Sequence, residues 1–270
     1  MVEIHAKKIQ VSYEKKVVID QLDCRIPNEA ITTIIGSNGC GKSTLLKSLT
    51  RILPVKAGQV LIDGKEIHSM NSRQVAQKLA FLPQVNQAPS GLSVYDLVSY
   101  GRFPHQYGLG RLRQEDKGKI DWALRSTGLH SLAQAQLDSL SGGQRQRAWI
   151  AMALAQDTDI IFLDEPTTYL DLNHQLEILE LLKSLQEESH KTIIMVLHDI
   201  NLAARFSQHM IAMKEGQIRY QGCVEELMTA PVLRDIFGIE AQIIQDPVLN
   251  VPLCLSYNLL PSPKLKRSFI

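Results

Sequence analysis

Gly36-Ser37-Asn38-Gly39-Cys40-Gly41-Lys42-Ser43-Thr44 spells G-x-x-x-x-G-K-[ST] directly after a segment that reads as a short buried strand, Ala30 to Ile35. A segment that reads as helix, Lys42 to Thr50, follows. Glycines let successive backbone N–H groups curl around phosphate oxygens, and the helix points its positive end at them. Lys42 adds a charge at the β- and γ-phosphates, and the Ser43 hydroxyl is placed to ligate Mg²⁺. A glycine-rich loop with a chance Lys-Ser would lack the strand before it and the helix after it. The pattern therefore predicts phosphate binding.

Ile160-Ile161-Phe162-Leu163-Asp164-Glu165 is an apolar strand ending in two carboxylates. Parallel α/β sheets present ligands at the carboxyl ends of their strands, so Asp164 is suited to the Mg²⁺ hydration shell. Glu165 alone would be a solvated strand-end charge. Beside a metal-holding Asp it becomes a candidate general base for an attacking water.

Leu140-Ser141-Gly142-Gly143-Gln144 resembles the LSGGQ signature of ABC (ATP-binding cassette) ATPases. Ser141 and Gly143 open a helix whose hydroxyl, N–H groups and dipole can meet a phosphate. A Ser-Gly-Gly helix start is common by itself, and within one chain it makes a second anion site with no evident ligand. The resemblance supplies one. In that family two cassettes join head to tail, and each signature closes over the ATP held by its partner.

The resemblance spans about residues 3–240 and implies further roles. The nucleotide-binding set becomes Tyr13, Gly36, Ser37, Asn38, Gly39, Cys40, Gly41, Lys42, Ser43 and Thr44, with Ser141, Gly143 and Asp171. Tyr13 matches the aromatic residue that stacks on adenine. Leu170-Asp171 matches the loop that touches the partner cassette. Gln84, after Leu82-Pro83, matches the glutamine that reaches Mg²⁺ and water. His198 matches the switch histidine at the γ-phosphate. The implied catalytic residues are Glu165, His198, Gln84 and Lys42, and the implied metal residues are Ser43, Gln84 and Asp164. ATP and Mg²⁺ are the cofactors implied.

The elements that must position these residues alternate strand and helix, which predicts an α/β layered fold. Val2 to Ile26 reads as half-buried antiparallel strands, and Val60 to Ile62 with Ile67 as a strand pair around Asp63-Gly64. From about residue 87 to 156 the period turns helical. Asp159 to Leu163 and Thr192 to Leu197 read as buried strands flanking a helix from Leu172 to Glu187, with one more helix after Gly222. The resemblance implies an ABC nucleotide-binding domain over 1–240: a RecA-like P-loop core with an antiparallel β subdomain and an α-helical subdomain inserted at 87–156. A C-terminal strand and a disordered tail, Pro261 to Ile270, are expected over 241–270.

Composition bounds the partners. The 29 Lys and Arg nearly balance 28 Asp and Glu, which gives no reason to expect nucleic acid. The longest apolar run, Ala148 to Ala155, falls far short of the roughly 20 residues that cross a bilayer. The N-terminus has no signal-peptide core, so a cytosolic chain is expected. The four cysteines are scattered and read as free thiols. Cys40, near Lys42 and a helix start, is either a reactive thiolate or a buried inert thiol.

Val94 to His105, Gly110-Arg111, Asp171 to Gln175 and Asp246-Pro247-Val248 are similar to the ATPases of iron-siderophore importers. That likeness implies an ATPase peripheral on the cytoplasmic membrane face. Its partners would be a second copy, separate permease subunits and, indirectly, an extracytoplasmic siderophore-binding protein. Ferric hydroxamates are the expected cargo. Haem, cobalamin or metal-ion import and a soluble non-transport ABC regulator stay open.

Overall fold

The computed structural model of the chain describes residues 3–14, 16–85, 87–106, 111–168 and 170–260. Strands β1 (Ile4–Tyr13) and β2 (Lys16–Ile26) open it as an antiparallel pair. β3 (Ile31–Gly36) leads into α1 (Lys42–Leu49). β4 (Ala57–Ile62) and β5 (Lys65–Glu66) follow, joined by Asp63-Gly64 with both residues at positive φ, the conformation a two-residue hairpin needs. Next come α2 (Ser72–Lys78), β6 (Leu79–Leu82), α3 (Val94–Tyr100), α4 (Gln114–Ser126) and α5 (Gly142–Ala155). β7 (Ile160–Asp164), α6 (Leu172–Ser189), β8 (Thr192–Val196), α7 (Ile200–Phe206) and the antiparallel pair β9 (His209–Lys214) and β10 (Gln217–Cys223) continue the core. Two short helices, α8 (Val224–Leu227) and α9 (Ala230–Phe237), precede a hairpin of β11 (Ile239–Gln245) and β12 (Pro252–Leu259).

The strands sort into three sheets. The central one has the order β10-β9-β3-β8-β7-β6, parallel throughout except for β10. A second, antiparallel sheet has the order β2-β1-β4-β5, and β11-β12 stands apart. Every residue of β3, β7 and β8 is buried, as expected of parallel strands covered on both faces.

Alternation along those strands divides two hydrophobic cores. Ile161, Leu163, Ile193 and Met195 face a core shared with α3 to α7. Ile160, Phe162, Ile194 and Val196 face the other, shared with α1 and the antiparallel sheet. Within the first core, α3, α4 and α5 pack on one another and α5 reaches β6.

Several elements differ from expectation. α2 and β6 lie in a stretch where no element was expected, because α2 is polar with Val75 alone buried and β6 is only four residues long. α7, β9 and β10 were likewise not anticipated. Two short helices stand where one was expected after Gly222. A two-stranded hairpin replaces the single C-terminal strand, and the expected boundary at residue 240 falls inside β11. The tail from Pro261, together with Val2 and Gly110, lies outside the described residues. No described helix is long and apolar enough to cross a membrane.

Candidate nucleotide site

Strand order brings the site together. β3, β8, β7 and β6 are parallel neighbours in register, with Ile34 beside Val196, Val196 beside Asp164, and Leu163 beside Leu82. Their carboxyl ends therefore open on one edge of the sheet. From that edge β3 delivers Gly36 and the phosphate loop, β8 delivers His198, β7 delivers Asp164 and Glu165, and β6 delivers Gln84.

A cleft of about 500 Å³ lies there, lined by Tyr13, Asn38, Gly39, Gly41, Lys42, Ser43, Thr44, Gln84, Glu165 and His198. Lys42 is buried, and its Nζ donates to the carbonyl oxygens of Gly36 (2.9 Å) and Ser37 (3.1 Å). Those bonds hold the ammonium inside the loop. Gly36 sits at φ +150°, and a Cβ there would stand 2.3 Å from the Met213 carbonyl oxygen. Glycine is required at that turn.

Ser43 Oγ donates to Asp164 Oδ1 at 2.8 Å. Burial pushes the Asp164 carboxyl above its usual range, against the Ser43 hydrogen bond and the charges of Lys47 and Lys42. Glu165 has left-handed backbone, φ +54°, which is uncommon outside glycine and costs local strain. The turn holds its carboxylate under three donors. His198 Nε2 is 2.6 Å from Oε1, while Gln84 Nε2 and Thr168 Oγ1 both donate to Oε2, the latter at 3.0 Å. Tyr13 is 46% exposed at the rim, with its hydroxyl 3.5 Å from Thr44 Oγ1. A flat exposed ring beside a phosphate loop can stack on a base.

The ABC transporter family profile matches residues 19–168. The iron(3+)-hydroxamate import ATP-binding protein FhuC of Bacillus subtilis (strain 168) is 52% identical, with 98% of each chain covered. A solved transporter described as of the metal-chelate type, in an inward-facing conformation, superposes with a TM-score of 0.81 at 27% identity, covering 96% of this chain and 98% of that one. A dimeric ATP-binding cassette in a post-hydrolysis state, bound to ADP and Pi, gives 0.71 at 29%, covering 82% and 98%. This chain belongs to the ABC transporter ATP-binding family. It is an ATPase with the ABC nucleotide-binding fold expected from the sequence.

Some residues singled out in this ABC ATPase stand apart from the cleft. Ser141 caps α5, its Oγ accepting from the Gln144 N–H at 3.3 Å while Gln144 Oε1 accepts from the Ser141 N–H at 3.0 Å. Gly143 lies in the first turn of that helix. Asp171 caps α6 by accepting from the His174 N–H. None of the three lines the cleft. Gly36 and Ser37 meet Lys42 through carbonyls, and Asp164 lies beneath Ser43.

Cys40 is 5% exposed, and burial pushes its thiol up past the opposing influence of Lys42 and nearby backbone N–H donors. The buried, inert alternative is the one the structure supports. Sequence reasoning missed one residue of the cleft wall and one partner of Glu165. Val18 of β2 forms part of the wall, and Thr168 grips Glu165. Val18 carries no chemical signal in sequence, whereas Thr168 could have been found as a hydroxyl three residues beyond the base.

Proposed function

We propose that this ABC ATPase energises the import of ferric siderophores, ferric hydroxamates first among them, through a separate membrane permease. The observation that carries the cargo is the 52% identity to an iron(3+)-hydroxamate import protein across 98% of both chains. The reading places the protein peripherally on the cytoplasmic membrane face, with an extracytoplasmic siderophore-binding protein supplying the permease. It also divides the chain into an ATPase domain, with the helical subdomain at 87–156, and a C-terminal segment that begins with the hairpin strand β11 at Ile239.

Two copies act head to tail. Gly36 to Thr44 hold the triphosphate of one ATP and Tyr13 stacks on its base. Ser141 and Gly143 of the other copy complete the site, with Asp171 in the loop between the copies. A hydroxyl and a buried carboxylate 2.8 Å apart, Ser43 and Asp164, are hard oxygen donors suited to Mg²⁺. They would hold the ion, with Gln84 within the same cleft. When bound, Mg²⁺ neutralises triphosphate charge. Glu165 takes the proton of the attacking water, His198 steadies the γ-phosphate and Lys42 stabilises charge on it. Phosphoryl transfer asks mainly for such positioning.

The test is uptake of ferric hydroxamate, ferric catecholate and haem by cells lacking the protein. The expected result is lost ferric hydroxamate uptake, restored by the wild type and not by Lys42→Ala. Unchanged uptake of all three, with no other ATPase substituting, would overturn the cargo and leave the ATPase standing.

A further inference from the structure

His174 joins two parts of the molecule that the preceding reading treats separately. Asp171 Oδ1 accepts from the His174 backbone N–H at 3.0 Å and lies 2.6 Å from Nδ1 of the same residue's ring. A carboxylate oxygen only accepts, so Nδ1 carries the proton. One oxygen thus fixes both the first turn of α6 and the direction of the imidazole.

The ring lies against Gly143. A Cβ at Gly143 would stand 2.5 Å from Cδ2, 2.9 Å from Cγ and 3.1 Å from Nε2 of His174. Real Cβ atoms do not approach so closely, so the imidazole occupies the space a side chain would take. The first turns of α5 and α6 touch through this one ring. A weaker tie lies one turn along, where Glu177 faces Arg147 at 3.7 Å.

Stability alone accounts poorly for the arrangement. The Asp171 side chain is 67% exposed and that of His174 32%, and exposed pairs contribute little. What the ring does accomplish is geometric. It joins the loop at Asp171 to the helix start at Gly143 through one side chain.

We propose that His174 is a positioning residue for ATP hydrolysis at the partner copy's site. It sets the height and direction of Ser141 and Gly143 relative to the loop at Asp171, so that both reach the second copy in one register. This rests on the head-to-tail pairing proposed above. A group displaced by about 1 Å at such a site costs up to roughly a hundred-fold in rate, so a contact far from the reacting atoms can matter. The neighbouring Gln175 serves a different purpose, donating from Nε2 in the first turn of α6 back to the Leu170 carbonyl of the preceding loop at 2.8 Å.

The test compares His174→Ala and His174→Asn in a Glu165→Gln background. Light scattering gives the ATP concentration at which half the protein is dimeric. Fluorescent-ATP binding to the monomer and the thermal midpoint are measured beside it. His174→Ala should need about ten-fold more ATP to dimerise, with monomer binding and midpoint unchanged. His174→Asn keeps a donor for Asp171 and should recover part of the loss. Dimerisation at the parent ATP concentration, or loss of monomer binding in equal proportion, would overturn the proposal. If the Glu165→Gln parent itself stays monomeric with ATP, the paired-copy reading falls and takes the proposal with it.

Discussion

The Glu165 carboxylate and the His198 imidazole meet at 2.6 Å across the carboxyl ends of two adjacent strands, β7 and β8. Gln84 and Thr168 take the other carboxylate oxygen. Every donor on the proposed base thus comes from a segment that also borders the cleft or runs into the loop at Asp171.

Glu165→Gln keeps the shape of this cluster and removes its basicity. ATP hydrolysis should fall by about 10²–10⁴-fold, the usual worth of a general base, while ATP-bound dimers accumulate. Phosphate release and light scattering on one sample measure both. Brisk turnover would remove Glu165 from the base role.

His198→Ala takes away the imidazole on Glu165 that we propose also meets the γ-phosphate, while leaving Lys42 and the loop backbone in place. kcat should drop by roughly 10²-fold, as for loss of one charge-stabilising donor, with KM for ATP moving much less. A steady-state ATP titration separates the two. A change confined to KM would make His198 a binding residue only.

Arg102 and Asp116 form an ion pair whose side chains are 3% and 5% exposed, and Arg102 also donates to the Ala155 carbonyl at 2.8 Å. Arg102→Met removes the counter-ion of a buried carboxylate that keeps its bond from the Arg113 N–H, and should cost about 3–5 kcal/mol, read by urea denaturation. Burial pushes the Asp116 carboxyl up, but the Arg113 N–H and the Arg102 guanidinium outweigh it and hold it below the usual carboxylate range. A depressed carboxylate stabilises the fold above its unfolded pKa and loses that contribution as pH falls through the folded one. The gap between wild type and Asp116→Asn should therefore be full at neutral pH and narrow below about pH 4.

Cys40 should resist alkylation. At neutral pH a maleimide should label exposed Cys223 first and leave ATPase activity intact, because Cys40 is buried. Mass spectrometry after short labelling reports which cysteine reacted. Rapid Cys40 labelling blocked by ATP would reverse this conclusion.

Asn201 clamps the C-terminal hairpin onto α7. Its Nδ2 donates to the Cys254 carbonyl at 3.1 Å, and its Oδ1 accepts from the Cys254 N–H at 2.8 Å. Asn201→Ala deletes both bonds, at about 0.5–1.5 kcal/mol each. Hydrogen exchange over Pro252–Leu259 should quicken while β3, β7 and β8 keep their protection.

Local backbone shape was legible from Gly36 to Thr44, at Asp164-Glu165 and at Leu140 to Gln144, where a loop before α1, a strand end and a helix start stand as read. In each case a short run specifies the backbone shape and the groups it carries, so no distant contact is needed to read it. Buried strands such as β7 and β8 were legible for the same reason, as apolar runs of the right length. α2 and β6 were not, since one buried valine and four residues are too little periodicity to register.

Strand order was decided by tertiary structure alone. Residues as far apart as Gln84 and His198 share a carboxylate because β6, β7 and β8 lie side by side, and side-chain alternation buries both sheet faces only in that layering. Burial of Cys40 and Arg102, and the imidazole over Gly143, have the same origin. They depend on what packs above a residue, which local sequence does not encode. The chain alone therefore determined which groups could act on a phosphate. The packed sheet and helices decided which of them meet, because pairings so distant in sequence form only when both hydrophobic cores close together.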